Sequence, residues 1–363
     1  NSFRWYTLYC EQQHILFLRT YFFSNCINGL EMKRIFMLCC LLVTINGCLP
    51  EESPVAPYPR GNTKTGTASM GSNYVNQVFI DLGVDSAVFT RKWDTWDLEL
   101  ESAPGGWHIR LNGAKTMLAA NTNLTDFSPM PKHDSLSFFA DAPHGNIDST
   151  AIGVWCEISG DNFTSKKQVY VIDRGSNAIG KPYGKIKFQV LGVTGTSYTF
   201  RYSKLDGTKE QTVTVSKDPV AIKTLFSFDT GGAITTPQPD DNSWDIVFTK
   251  YTHVFYEATI GYTPYSVTGT LINTASGVTV AIDTIPFAEI TYEKISSYMF
   301  SSNEDAIGYD WKVYDLNAGS YTVNTKIIYI IRDRKGFYWK LHFLDFYDDK
   351  GDRGTPKYEF QKI

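Results

Sequence analysis

The sequence predicts an all-β fold of two tandem antiparallel β-domains that follow a signal peptide and a flexible tether. Segments rich in β-branched and aromatic residues alternate with Gly, Asn and Asp, as at 198–202, 212–215 and 278–282. No long stretch of the sequence has the 3.6-residue periodicity of an amphipathic helix. Blocks of the first half also recur in order in the second half, which predicts the tandem organisation.

The composition indicates a folded protein without a broad affinity for nucleic acid. Of the 363 residues, 42% are apolar and 15% are aromatic, which is enough for a sizeable core and too much for a disordered chain. The formal net charge is −4, so the chain lacks the basic excess of proteins that bind nucleic acid electrostatically. Length alone allows one large domain or two to three ordinary ones.

A lipoprotein signal peptide is predicted at residues 32–47. Two cationic residues precede an apolar run that is too short to span a bilayer. The run ends in Ile-Asn-Gly-Cys, which resembles the bacterial lipobox, so Cys48 would be acylated and become the mature N-terminus. Met32 is then the expected start, and residues 1–31 are interpreted as an over-extended gene model. The alternative is a buried hydrophobic segment at the N-terminus.

Residues 48–74 are predicted to be a flexible linker between the lipid and the folded part. They are rich in Pro, Ser, Gly, Thr and Glu, a composition that does not bury a core. Two glutamates close behind Cys48 resemble the acidic signal that sends Bacteroidetes lipoproteins to the outer face of the outer membrane. After cleavage only Cys48 and Cys156 would remain, which excludes a disulfide framework and a zinc-type cysteine spacing.

The folded part divides into two predicted β-domains, residues 75–217 and 218–363. In both, an Asp precedes a Trp-Asp pair by fifteen residues, at 81 and 96 in the first and at 229 and 244 in the second. Other blocks follow in the same order: 151–155 with 306–311, 169–172 with 328–331, 185–188 with 340–343, and 198–200 with 358–360. So many matches in one order indicate an internal repeat.

Packing accounts for most of these blocks. In the Trp-Asp motif, Trp96 and Trp244 are expected to face a core while the Asp that follows caps a turn. The segments 169–172 and 328–331 are apolar on both strand faces, so we expect them to be buried between layers. The segment after each of them would be a hairpin turn that joins two long strands.

The same blocks resemble the HmuY family of Bacteroidetes lipoproteins. The resemblance rests on the lipobox, on the Trp-Asp motif after an Asp-Leu-Gly-like strand, and on a Trp (Trp155 or Trp311) before a strand pair. The C-terminal blocks at 328–346 and 350–360 carry most weight, and 109–113 is also similar. The matches span both halves. Most family members carry one such domain, so a tandem copy departs from the family.

The resemblance implies a hand-like all-β fold, haem capture at the cell surface and transfer of haem to a TonB-dependent outer-membrane transporter. The family prototype holds the haem iron with two His, and some relatives use two Met; such axial ligands tune the iron. One ligand is expected a few residues after the Trp that precedes the strand pair. Neither 155–161 nor 311–317 contains His or Met, so the prototype pair is absent.

The other ligand is expected on the long excursion before that Trp. The first half offers Met130, His133 and His144 there, and the second half offers Met299. Each half could therefore supply one ligand at best. The plainer interpretations are a solvated loop for Met130 and His133, a turn for His144, and a core or pocket wall for Met299. A porphyrin could also bind between aromatic walls without ligation of its iron.

Aromatic residues in the second half could form such walls, with Tyr251 and Tyr298 as the candidate pocket residues. They belong to a cluster outside the clear strand blocks: Tyr251, Phe255, Tyr256, Tyr262, Tyr265 and Tyr298. Aromatic rings stack on porphyrins and equally on sugars. The alternative to a haem-binding lipoprotein is therefore a glycan-binding or structural, adhesin-like surface protein.

Catalysis is not predicted, because the sequence contains no nucleophile elbow, zinc-protease motif or phosphate-binding glycine loop. The carboxylates Glu99 and Glu101 lie on one strand face, which is usually a solvated face. We therefore predict a binding protein, with haem or a related tetrapyrrole as its ligand and a TonB-dependent receptor as its partner.

Overall fold

The computed structural model describes residues 61–84, 86–160, 162–233 and 239–363. The predicted extension at 1–31, the signal at 32–47 and the lipobox Cys48 lie outside the described residues. Residues Arg60–Ile363 form one compact unit. Within the described ranges, no helix has the length and apolar character needed to cross a membrane.

Antiparallel strands are the main regular structure of this unit, which confirms the predicted all-β class. The strands, numbered in chain order, are β1 (Lys64–Thr67), β2 (Asn76–Asp81), β3 (Ser86–Lys92), β4 (Leu98–Glu101), β5 (Ile109–Leu111), β6 (Leu118–Asn121), β7 (Cys156–Ser159), β8 (Asn162–Ser165), β9 (Val169–Asp173), β10 (Lys185–Val193), β11 (Ser197–Lys204), β12 (Gln211–Ser216), β13 (Lys223–Ser227), β14 (Gly232–Ala233), β15 (Ile246–Glu257), β16 (Gly261–Ile272), β17 (Thr279–Asp283), β18 (Lys312–Asp315), β19 (Ser320–Val323), β20 (Ile328–Arg332), β21 (Tyr338–Tyr347) and β22 (Arg353–Lys362). Short 3₁₀ helices lie at Trp93–Thr95, Gly113–Lys115, His133–Ser135, Thr274–Ser276, Phe287–Glu289 and Tyr292–Ser297.

The strands form two similar pairs of sheets. Two sheets have five strands, in the orders β12-β11-β10-β9-β6 and β1-β22-β21-β20-β17. Two sheets have four strands, in the orders β14-β13-β4-β5 and β16-β15-β2-β3. The hairpins β7–β8 and β18–β19 stand apart from these sheets as two-stranded ribbons. The predicted hairpins are present, since β9 pairs with β10 and β20 pairs with β21.

Each pair of sheets encloses a hydrophobic core. The first core is built by side chains between residues 98 and 228, and the second by side chains at 68–82 and 246–360. Each core contains one fully buried tryptophan, Trp155 in the first and Trp311 in the second. Trp311 stacks on Phe343 with 3.9 Å between ring centroids. The strands β9 and β20 are buried, as their apolar sequences predicted.

Strand pairing does not follow the predicted division at 217/218. β2 pairs with β15, and β13 pairs with β4, so each sequence half contributes its first repeated strand to the sheet of the other half. The first core is therefore built from the continuous stretch β4–β14, while the second uses both ends of the described chain. The division into 75–217 and 218–363 stays a prediction about repeated sequence. Each pair of sheets with its core, which we call a packing unit, contains strands from both predicted domains.

The structure differs from the predicted linker over the last part of that segment. β1 pairs with β22, and the side chains of Ala68 and Met70 are 1% and 0% exposed in the second core. Their backbone N–H groups donate to the carbonyl oxygens of Pro356 and Gly354, at 3.0 and 2.8 Å. Small and polar residues form an edge strand here because a neighbouring strand supplies the hydrogen bonds and a core accepts the few apolar side chains.

The Asp of the first Trp-Asp motif is buried in an ion pair, which corrects the predicted turn cap. Asp97 is fully buried and contacts Lys115 at 2.8 Å and Arg174 at 3.1 Å. It also accepts the N–H of Phe228 at 2.8 Å. The other side of the Arg174 guanidinium contacts Asp229 at 2.9 Å. Two carboxylates that flank one guanidinium thus fasten β13 to the first core.

The second core repeats this arrangement. Asp245 contacts Arg334 at 2.9 Å and accepts the N–H of Leu82, while Asp81 contacts the same guanidinium at 2.5 Å. All four aspartates of the repeated pattern are therefore partners in these two ion pairs. In each core, the Asp of the motif shares an Arg with the Asp that precedes the motif of the other half.

In the last two repeated blocks, which begin at 185 and 340 and at 198 and 358, the strand pairing differs by two residues from the sequence match. Lys187 lies opposite Val171 in its sheet, and Lys340 lies opposite Ile330, so these two lysines occupy equivalent positions. Each lysine points into the long segment that precedes Trp155 or Trp311, which we call the excursion of that half. Lys187 Nζ donates to the carbonyl of Phe127, and Lys340 Nζ donates to the carbonyl of Phe287. The sequence match had instead placed Lys340 with Lys185.

Candidate functional site

One long hairpin distinguishes the second sheet pair from the first. β15 and β16 have twelve residues each, whereas the corresponding β4 and β5 have four and three. The outer part of the hairpin lies against the first half. Thr252 Oγ1 donates to the carbonyl of Gly113 at 2.7 Å, and the hydroxyl of Tyr262 accepts the N–H of Ala140 at 2.7 Å. The added length therefore creates a surface that the other sheet pair does not have.

A cleft of about 440 Å³ opens between the tip of this hairpin and the loop 139–151, and we call it the aromatic cleft. Its volume is within the range of small-molecule sites. The rings of Phe139 and Tyr256 lie 5.2 and 5.8 Å from the ring of Tyr262. Phe139 is 48% exposed and Tyr256 is 79% exposed, so both rings can meet a flat ligand. The lining residues are Phe139, Ala140, Ala142, Pro143, His144, Ser149, Thr150, Ala151, Val254, Tyr256 and Tyr262.

Asp141 fixes the loop that forms one wall of the cleft. Its carboxylate oxygens accept the N–H groups of Leu111 and Ala151, both at 2.7 Å. Burial raises the pKa of this carboxyl to about 6, although the guanidinium of Arg110 acts to lower it. One carboxylate thus links the loop to β5 and also links residues 141 and 151 within the loop. Burial disfavours the ionised form of this carboxylate.

The raised pKa of Asp141 predicts how stability depends on pH. The folded protein keeps this proton up to about pH 6, whereas the unfolded chain releases it near pH 3.8. Between these two pH values the folded state binds more protons than the unfolded state. The contribution of Asp141 to the free energy of unfolding is therefore fully present below about pH 3.8 and is lost as the pH rises through about 6. At about 1.4 kcal/mol per pKa unit, the loss is roughly 3 kcal/mol. Urea unfolding from pH 4 to 7 should show a flatter profile for Asp141→Asn, and equal slopes would contradict the assignment.

Glu304 connects the loop to the hairpin. Its carboxylate accepts two hydrogen bonds from the guanidinium of Arg110, at 2.7 and 2.8 Å. Its N–H donates to the carbonyl of His144, and its carbonyl accepts the N–H of Ile272 at the end of β16, both at 2.9 Å. Gly145 lies on the same side chain at φ +77°, where a Cβ would come within 2.2 Å of the carboxyl carbon. This packing holds the two walls of the cleft together.

His144 lines the cleft, and its imidazole already takes part in a hydrogen bond within the loop. The Nδ1 atom accepts the N–H of Asn146 at 3.1 Å. A neutral imidazole with a hydrogen-bonded Nδ1 lone pair carries its proton on Nε2, so neither nitrogen offers a lone pair to iron. The structure therefore brings this predicted residue to the cleft in a wall position. Ligation would require the loop to release its own hydrogen bond.

The family model described as HmuY protein matches residues 73–360, which spans both packing units. The chain belongs to the HmuY family. Solved structures similar to it include apo PinO from Porphyromonas gingivitis, 10% identical, with 83% of this chain and 97% of that chain covered and a TM-score of 0.26. Another is the apo HmuY analogue TFO from Tannerella forsythia, 10% identical, with coverages of 84% and 98% and a TM-score of 0.24.

Membership of the HmuY family rests on the family model, because both TM-scores are below 0.5. No curated protein matches the chain. The family match agrees with the resemblance seen in the sequence, and it covers both sequence halves in a single span.

In this HmuY family member, the other predicted iron ligands lie away from the aromatic cleft. Met130 and His133 line a separate surface cleft of about 440 Å³. Met299 is 93% exposed and is not part of the aromatic cleft. The structure thus brings Met130 and His133 together, and it leaves His144 and Met299 apart from them. Their roles as haem ligands stay predictions.

The two predicted pocket aromatics also lie outside the aromatic cleft. Tyr251 is buried and lines a cavity of about 150 Å³ between the packing units. The hydroxyl of Tyr298 donates to Asp283 at 2.6 Å, and its ring packs on a small cluster around β17 and β20. The tyrosines in the cleft are instead Tyr256 and Tyr262, which pair across the hairpin beside its turn. In the sequence, Tyr256 directly precedes Glu257 and Tyr262 directly follows Gly261, the last pair before the turn. These positions on either side of a turn are the signal that could have identified them.

A further, polar cleft of about 590 Å³ contains the carboxylates that the sequence predicted to be solvated. Glu99 contacts Lys223 at 3.2 Å, and Glu101 contacts His108 Nδ1 at 2.7 Å. Burial acts to raise the pKa of Glu99, but Lys223 and Arg110 hold it below its usual range. A carboxylate kept ionised in this way is an ion-pair partner and is unsuited to donate a proton as a general acid.

Proposed function

We propose that this protein binds haem or a related tetrapyrrole in the aromatic cleft, as a lipid-anchored protein on the outer surface of the outer membrane. A TonB-dependent outer-membrane transporter would receive the ligand. The observation that carries the proposal is the cleft itself, which exists because one hairpin is longer than its counterpart. Membership of the HmuY family and the lipobox-like sequence before Cys48 support the proposed ligand and anchor.

Stacking on aromatic side chains is the interaction that the cleft offers to a macrocycle. Phe139, Tyr256 and Tyr262 present ring faces and edges around one opening, and Val254 and Pro143 supply further apolar surface. Burial of a planar apolar ring between such side chains is favourable without any metal ligand. Because the Nδ1 lone pair of His144 is already used, we expect the macrocycle rather than the iron to dominate the affinity.

Titration with haemin tests the proposal through the Soret band. We expect a shift with the wild-type protein, and a roughly three- to tenfold weaker affinity for Tyr256→Ser and Phe139→Ser, because each lost aromatic contact removes about 0.5–1.5 kcal/mol. Tyr292→Ser is the matched control, since Tyr292 is 59% exposed but lies outside the cleft. Absence of a Soret shift at micromolar protein would contradict the haem proposal. An equal loss of haemin affinity in the control variant would contradict the assignment of the binding site to the aromatic cleft.

Glycan binding is the second candidate function, because exposed aromatic rings around a cleft without a free iron ligand also suit the faces of sugars. Iron-free protoporphyrin IX separates the two candidates. A protein that binds through the macrocycle should quench protoporphyrin fluorescence with an affinity close to that for haemin. Binding of neither porphyrin, together with binding to immobilised polysaccharide that Tyr256→Ser weakens, would favour the glycan candidate.

A further inference from the structure

The excursion of the first half carries Met130 and His133 on a rigid support. Buried Lys187 donates through Nζ to the carbonyl oxygens of Phe127 and Pro129, at 2.6 and 3.5 Å. Prolines lie on both sides of Met130, which restricts the backbone there. The N–H of Leu136 donates to the carbonyl of His133 at 3.3 Å and closes the 3₁₀ turn His133–Ser135. The two side chains are therefore presented from a fixed loop.

Three donor groups of different chemistry lie on the cleft formed by this loop. The cleft of about 440 Å³ is lined by residues 130–135, which include the thioether of Met130, the imidazole of His133 and the carboxylate of Asp134. Met130 is 60% exposed, so its sulphur is accessible. Two donors that lie three residues apart on one cleft cannot occupy opposite faces of one haem, which removes this pair from the axial arrangement of the family prototype.

The imidazole of His133 faces an acceptor on each side. Its Nδ1 lies 3.4 Å from the carbonyl oxygen of Pro131, and its Nε2 lies 3.2 Å from Oδ1 of Asp134. An imidazolium would donate to both acceptors, whereas a neutral imidazole has one N–H and satisfies only one of them. A histidine that ligates a metal usually donates its other N–H to a carbonyl, which is the role of Pro131 here. In that neutral form the Nε2 lone pair faces a carboxylate oxygen at 3.2 Å, and a metal ion that both atoms ligate removes the repulsion.

We propose that Met130 and His133, with Asp134 beside them, bind a soft monovalent metal ion of the copper(I) class. Thioether sulphur is a soft ligand that selects copper(I), and imidazole also suits copper. Binding uses the Nε2 lone pair of neutral His133 and transfers no electron. The second excursion, held in the same way by Lys340, contains Met299 but no His between residues 285 and 311, so it lacks such a pair. The donors are thus not required by the scaffold.

Silver(I), a redox-inert probe for copper(I), tests the proposal on the full chain. Silver nitrate is added in excess over the six cysteines, and dilute hydrogen peroxide then oxidises accessible methionines. Mass spectrometry follows sulfoxide formation at Met130 and at Met299, which is 93% exposed and serves as the internal control. We expect silver to slow oxidation of Met130 by about tenfold or more relative to Met299, because coordination uses one of the two sulphur lone pairs and the cation makes the other less nucleophilic towards peroxide.

His133→Gln should remove this protection, since loss of a ligand or its partner weakens metal sites by about tenfold or more. The matched control His144→Gln, at an imidazole outside this cleft, should leave the protection unchanged. Equal protection of Met130 and Met299, or protection of Met130 that persists in His133→Gln, would show unspecific binding to thioethers and overturn the proposal. Absence of protection would overturn it as well.

Discussion

Replacement of Asp97 by alanine is expected to destabilise the protein by about 3–5 kcal/mol, because it leaves buried Lys115 without its counter-ion and Arg174 with only the more exposed Asp229. Asp97 is fully buried, and it neutralises Lys115 and Arg174. It also accepts the N–H of Phe228, so the variant loses the bond that fastens β13 to the first core. The expected loss is a large part of the total stability of an ordinary domain.

Urea unfolding followed by tryptophan fluorescence measures the effect of Asp97→Ala. The matched control is Asp206→Ala, because Asp206 lies in an exposed turn and accepts only from Thr208. The control should keep the wild-type midpoint. A double variant that adds Lys115→Met should recover part of the loss if an uncompensated buried charge is the cause, since Asp97 is the ion-pair partner of Lys115. A loss for Asp97→Ala no larger than that of the control would contradict the ion-pair assignment.

The strand composition and the buried tryptophans could be predicted from sequence because they depend on local alternation and on apolar side chains. The partner of each strand could not. β2 and β13 carry similar sequences, and either could pair within its own half or with the other half. The two-residue slip at Lys187 and Lys340 was hidden for a related reason: a strand shifted by two residues keeps the same face towards the core.

The role of the Asp residues in the Trp-Asp motifs could not be predicted from sequence for a different reason. Asp after an aromatic residue is common in turns, and sequence context alone favours that role. Burial of Asp97 depends on Arg174, which lies 77 residues away, and on a strand from the other half. The aromatic cleft likewise depends on contacts between distant segments, since loop 139–151 meets the hairpin tip at Tyr262. Sequence identified the aromatic cluster, but only the packing selected its members.

The end of the predicted linker is expected to be essential for the second core, and Met70→Ala tests this. Met70 is 0% exposed, and truncation of a buried methionine costs about 2–5 kcal/mol because a cavity remains. A flexible linker predicts no change at this position. The structure instead predicts a large loss, since β1 and the residues after it complete a sheet whose other strands come from the far end of the chain.

The same substitution at Met299 provides the control, because that side chain is 93% exposed and its truncation should change the free energy of unfolding by less than about 0.5 kcal/mol. Thermal unfolding of both variants should separate them clearly. Equal midpoints would show that the segment before β2 is not part of the core. A loss confined to Met70→Ala would mean that the segment between β1 and β2, predicted to be linker, is part of the second core.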